Sequence, residues 1–345
     1  MKRKYALDAN LIFLLSIIAS QVLTPTVCVL GVKDAMMLQI LIEFFLLLPG
    51  IVYLIMQKRP LKESLGLNAL TWKQWLLLIP LAICMVNITE FVNLISQLFV
   101  TNQVSGHMLD LTLQYPFPVA FFAVAIMPMI CEEVIFRGII YQGYRRSGIL
   151  RAILLSSFLF GIMHMNLNQF SYAFVLGILF CLINEAAGSF LPSMVMHLFI
   201  NGRSIVLLYG VVELLEYLHN RYVAAKAAGD TMMMELLEKA TAGIPIESEN
   251  WLEAYMSIGA EDMDMAGTIL GMIPGVLISV IGVVLIIRYF LKSTGRTEHF
   301  KSIFRRKERR EGEEIASEKI SVVSVSLLIG CAICFYFMLA EFIPI

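Results

Sequence analysis

Three short stretches of this chain carry acids, bases and hydrogen-bond donors at one-turn spacing inside otherwise apolar sequence. The first is Cys131-Glu132-Glu133-Val134-Ile135-Phe136-Arg137-Gly138, an EExxxR pattern. On a helix Glu133 and Arg137 stand at i and i+4, share a face and can pair, which keeps both ionised at depth. Glu132 is turned about 100° from Glu133, so it points elsewhere and stays free. A free carboxylate in a low-dielectric cavity suits general acid or base work. The second stretch is Phe160-Gly161-Ile162-Met163-His164, an FxxxH pattern, with an aromatic wall one turn before an imidazole. The third is His197-Leu198-Phe199-Ile200-Asn201, an HxxxN pattern. Its two side chains face one way, and both can donate hydrogen bonds, as a developing oxyanion requires. Each stretch also has a structural reading: ion pairing for the glutamates, interhelical hydrogen bonds for the histidines and the asparagine. Together they supply the parts of a hydrolase that activates water.

The elements that must position these groups are membrane helices. The 345 residues are 59% hydrophobic and only 15% charged, against about 25% charged in soluble domains, and the mean hydropathy is +0.78. A bilayer crossing needs about 20 mainly apolar residues. Crossings are predicted at 10–31, 35–56, 75–99, 118–142, 150–166, 170–188, 191–214, 266–290 and 320–343. The expected fold is therefore all-α, a polytopic integral membrane helical bundle with about eight to nine transmembrane helices. The basic start MKRKYALDAN precedes an apolar stretch long enough to cross, so it reads as a first helix that stays rather than a cleaved signal. Between 61 and 75, Trp72 and Trp75 suit an interfacial amphipathic stretch.

Charge orients the bundle. Lys2, Arg3, Lys4, Lys58, Arg59, Lys62, Arg145, Arg146 and Arg151 are expected on the cytoplasmic side. Segment 215–265 holds ten acidic residues and is expected outside, with a short amphipathic helix around 230–240; segment 288–319 holds ten Lys or Arg and is expected inside. We read residues 1–345 as a single membrane domain of the cell membrane with a cytoplasmic N-terminus. Within it lie catalytic core helices at 118–205, an acidic extracytoplasmic loop at 215–265 and a basic cytoplasmic loop at 291–319. On this topology His197 sits near the inner end of its helix and His164 near the outer end of its own. They meet only if helices tilt strongly or a funnel runs deep into the bundle.

EExxxR, FxxxH and HxxxN on successive helices resemble the CPBP family, which includes the CAAX prenyl endopeptidases and bacteriocin-processing or immunity proteins. The flanking Arg137-Gly138-Ile139-Ile140-Tyr141 and Gly188-Ser189-Phe190-Leu191-Pro192 are similar too. The resemblance covers about residues 118–205. It implies an intramembrane endopeptidase acting on a hydrophobic or membrane-tethered protein or peptide. It further implies that Glu132 and His164 activate a water, that His197 and Asn201 stabilise the oxyanion, and that Glu133 and Arg137, with Phe160, support the site. The family is commonly called metalloprotease. Zinc would find three ligands in Glu132, His164 and His197, yet the HExxH helix of zincins is missing and a glutamate-activated water needs no metal, so no metal is committed. Neither GxSG of rhomboid-type serine sites nor GxGD of aspartyl sites occurs. Besides substrate, membrane lipid is the expected partner, with no nucleic acid. The alternative class is a non-enzymatic membrane scaffold or peptide-toxin self-immunity protein. A secondary transporter is disfavoured by the lack of an internal repeat.

The remaining polar residues at depth read as minor. Glu43 and Glu90 have no obvious partner and are expected to hydrogen-bond within the bundle or line the substrate cavity. Glu185 reads as interfacial, and His107, His219 and His299 as loop residues without a special role. The six cysteines all lie in apolar stretches and read as packing residues, including Cys331 and Cys334.

Overall fold

The computed structural model describes residues 2–58, 60–100, 104–241, 244, 246–247, 251, 264–305 and 322–340. In lipid, an isolated backbone must satisfy its own hydrogen bonds, so apolar runs of this length become helices. Among the described residues, seven helices are long and apolar enough to cross a membrane: α1 (Lys2–Val29), α2 (Ala35–Gln57), α4 (Trp72–Gln97), α6 (Phe117–Arg145), α8 (Leu167–Ala187), α9 (Leu191–Ala228) and α11 (Met265–Thr294). Two shorter apolar helices are α7 (Ile149–Ile162) and α13 (Val325–Ala340). Short pieces complete the described chain: α3 (Leu61–Leu65), α5 (Val104–Gln114), α10 (Thr231–Ala240) and α12 (Thr297–Phe304). No strand occurs among the described residues. The protein is an integral membrane helical bundle. Ile79, Leu277, Ile281 and Leu328 point outward, as side chains facing lipid do.

The helix ends follow local chemistry. Asp34 accepts from the amide of Met37 to start α2, Thr71 and Gln74 form a capping box on α4, and Asn166 accepts from Gln169 to start α8. Glycines let the helices carrying the motifs approach closely. A Cβ on Gly50 of α2 would lie 2.5 Å from Ile135 Cδ1 of α6, and one on Gly202 of α9 would lie 2.9 Å from the ring of Phe121.

Three expectations are corrected, and one is met. The stretch 150–166 is helical only from Ile149 to Ile162, about 21 Å long, too short to cross a core of about 30 Å. The helix begun at Leu191 does not stop near 214 but runs 38 residues to Ala228, about 57 Å, so the first part of 215–265 continues that helix rather than forming a loop. The amphipathic piece expected around 230–240 is α10. The stretch 100–117, left between two predicted crossings, contains α5. Residues 252–263 of the acidic segment and 306–319 of the basic one lie outside the described residues.

α6 is the spine of the site. Its hydrogen bonding widens to π-helical at Phe122–Ile126 and Val134–Ile140, on either side of Glu132 and Glu133. Such widened turns recur at functional sites because they redirect side chains and carbonyls. A short link joins α8 to α9. Gly188 ends α8 with φ 65°, Phe190 N–H donates to the Gly66 carbonyl, Ser189 to the Asn68 carbonyl, and Asn68 Nδ2 to the Gly188 carbonyl. That lattice fixes where α9 enters the bundle, and hence the depth of His197 six residues later.

Candidate active site

Glu132, His164, His197 and Asn201 line one cavity of about 640 Å³ between the helices, together with Phe160, Glu43, Gln39 and Gln169. His164 follows the last turn of α7, and it lines the same cavity as His197 despite the different depths expected for the two. His197 lies about 9 Å into α9 at 1.5 Å per residue. Both imidazoles reach the Phe160 ring, with centroids 5.1 Å away for His164 and 6.1 Å for His197.

Phe160 organises this end of the cavity. The Arg137 guanidinium stacks over its face at 4.0 Å and over Phe180 at 4.9 Å. Such stacking stabilises a cation that cannot reach water. Arg137 Nη1 donates to Glu133 Oε1 at 2.8 Å, with both side chains buried.

The two adjacent glutamates differ in their partners. Glu133 Oε1 accepts from Arg137 and also from His197 Nδ1 at 3.0 Å. Glu132 Oε2 lies 3.7 Å from His197 Nε2, beyond hydrogen-bond range, and has no hydrogen-bond partner among the described residues although it is buried. Sequence spacing anticipates the Glu133–Arg137 pair. It gives no signal for Glu133 and His197, which meet only because α9 packs on α6.

Tautomers follow from the partners. His164 Nδ1 is 2.8 Å from the Phe160 carbonyl oxygen. A carbonyl can only accept, so Nδ1 carries the hydrogen and Nε2 of the neutral ring keeps a lone pair. His197 Nδ1 donates to Glu133, which leaves Nε2 as its only nitrogen for a substrate. Asn201 Nδ2 donates to the Val124 carbonyl at 3.2 Å, inside the first widened turn of α6. One amide hydrogen remains available to the cavity.

Several polar residues at depth have neighbours that spacing could not reveal. Glu43 of α2 lines the same cavity, is buried, and its Oε2 has no partner among the described residues. Glu90, expected to hydrogen-bond within the bundle, pairs with Arg203 at 2.8 Å. Glu185 is tied into the bundle by several partners. It is 4% exposed and accepts from Tyr141 Oη at 2.7 Å, Arg145 Nε at 2.5 Å, Arg296 Nη2 at 3.1 Å and His299 Nε2 at 2.7 Å. His299 thus has a structural role in tying α12 to α8. No sequence period links residues 111 positions apart, such as Glu185 and Arg296.

Zinc would need three or more protein donors converging on one point. Among the described residues no three His, Cys, Asp or Glu side chains are grouped so as to hold a metal ion. Glu132, His164 and His197 are not grouped in that way, so the chemistry below is derived from the side chains alone.

Comparison with known families bears on this same stretch. Residues 114–203 match the family model for type II CAAX prenyl endopeptidases, Rce1-like. The matched segment is 90 of the 345 residues, and its similarity supports an intramembrane protease of CAAX type at family level. The matched segment runs from Gln114, the last residue of α5, to two residues beyond Asn201 and contains all three motifs. Among curated proteins and solved structures, none matches the chain.

Proposed function

We propose that this protein hydrolyses a peptide bond in a hydrophobic or membrane-tethered substrate, with Glu132 as the principal base. The observation that carries the reading is the convergence of Glu132, His164, His197 and Asn201 on one cavity inside the bundle. A water beside Glu132 Oε2 gives its proton to that carboxylate, with His164 Nε2 as the second basic atom. The resulting hydroxide attacks the scissile carbonyl carbon. Asn201 donates its remaining amide hydrogen to the developing oxyanion. His197 reaches that oxygen through Nε2, which must then carry a hydrogen because Nδ1 is committed to Glu133. The proton held by Glu132 passes to the leaving nitrogen as the C–N bond breaks. Glu133 and Arg137 touch no substrate; they fix the orientation of His197.

Residues 118–205 serve as the catalytic core, and the remaining helices close the cavity from lipid. A prenylated C-terminal segment is one substrate of suitable chemistry, by analogy with the family. The test is quantitative proteomics on membranes from cells carrying wild-type or Glu132→Ala protein. The expected result is at least one membrane peptide cleaved only by the wild type. Undiminished cleavage by Glu132→Ala would remove the mechanism.

A further inference from the structure

Glu43 lies in α2, outside the Rce1-like segment, yet it faces the reaction cavity. It is 7% exposed, and its Oε2 has no hydrogen-bond partner among the described residues. Gln39, one turn earlier on the same face, and Gln21 of α1 line the same wall. Of the described residues lining this cavity, none is Lys or Arg. Its two histidines are committed through Nδ1 to the Phe160 carbonyl and to Glu133. Arg137 is taken by Glu133 and by two aromatic faces. Glu43 therefore lacks a counter-ion of its own in the bundle. A buried carboxylate without one is costly, and that cost is removed when a cation enters beside it.

We infer that Glu43 is a specificity-determining residue: it receives a basic side chain, Lys or Arg, next to the scissile bond of the substrate peptide. Gln39 and Gln21 offer amides to the polar part of that same segment. The inference rests on the proposed peptide hydrolysis and deepens it, since it names the chemistry the cavity selects. Packing fixes the placement. Gly50, two turns beyond Glu43, lets α2 close on Ile135 and Ile139 of α6, which turns Glu43 toward the face that carries Glu132.

The probe is an equimolar mixture of internally quenched hydrophobic decapeptides, identical except for one Lys, one Glu or one norleucine at each position in turn. Full-length wild-type, Glu43→Gln and Glu43→Lys proteins are reconstituted in liposomes, and products are counted by mass spectrometry. Wild type is expected to prefer Lys over norleucine at one position near the cut by about ten- to a hundredfold, the range set by a hydrogen bond to a charged group. Glu43→Gln should bring this preference to within about threefold. Glu43→Lys should turn it toward the Glu peptide, a reversal that misfolding cannot produce. Equal cleavage of Lys and norleucine peptides by the wild type would overturn the inference. So would a Lys preference that survives in Glu43→Gln, which is the behaviour of a neutral, merely structural glutamic acid; in both cases peptide hydrolysis stands. Cleavage of no peptide by the wild type would overturn the hydrolase reading and this inference with it.

Discussion

Glu132 and Glu185 are both buried glutamates in apolar helices, and their surroundings are opposite. Glu185 accepts from a tyrosine, two arginines and a histidine drawn from α6, α12 and the turn that precedes α12. Glu132 has an oxygen with no hydrogen-bond partner among the described residues and opens on a cavity. A carboxylate that the protein has fully satisfied holds helices together. One left unsatisfied costs stability and is retained only where something else, a water or a substrate, completes it. Glu43 falls on the Glu132 side of this division; Glu133 stands between, its Oε1 held by Arg137 and His197 and its buried Oε2 without a hydrogen-bond partner among the described residues.

The contrast breaks most sharply under substitution. Glu132→Gln should reduce cleavage by about 10³-fold or more, the upper part of what a positioned base supplies. Its melting temperature in detergent should stay level or rise, because a neutral amide replaces an unsatisfied carboxylate. A fall in melting temperature that tracks the lost activity would show Glu132 to be another Glu185. Asn201→Ala should lower the rate by roughly 10²–10³-fold, as loss of one oxyanion donor does, with substrate affinity little changed in steady-state kinetics.

Glu185→Leu should do the reverse of Glu132→Gln. Two arginines lose their common partner, and stability should drop by roughly 2–3 kcal/mol, below the range for fully buried pairs because both arginines retain solvent access. Thermal melts in detergent measure this, while turnover per folded molecule should change far less. The smallest effect concerns Asp34, an exposed carboxylate that caps α2. Its hydrogen bonds from the Met37 amide and, next, from Tyr115 Oη hold its carboxyl below its ordinary 3.8. A carboxyl lowered on folding stabilises above its unfolded value, and the benefit is lost as pH falls through the folded one. The melting temperatures of wild type and Asp34→Asn should therefore differ slightly at pH 6 and converge below about pH 4.

Much of the architecture was legible because the bilayer reads composition directly. Each of the nine apolar runs corresponds to a helix, since an apolar segment of that length in lipid can satisfy its backbone in no other way. Boundaries were less legible. The end of α7 at Ile162 is set by the Phe160 carbonyl turning to His164 and by Asn166 starting α8, and hydropathy sees neither. The Glu133–Arg137 pair was readable because both partners sit on one helix. Glu133 with His197, Glu90 with Arg203, and Glu185 with Arg296 and His299 were not, because their partners lie on helices far apart in sequence.

By itself, then, the sequence determined the helical membrane class, the three motifs and the one-turn relations inside them, because these depend on local periodicity and on transfer from water to lipid. Only the tertiary structure decided which carboxylates find partners. It joined Glu133 to His197, drew two histidines from different depths to one phenylalanine, and turned Glu43 toward Glu132. Those outcomes depend on how helices far apart in the chain pack through their small residues and widened turns, and no spacing within a single helix encodes that.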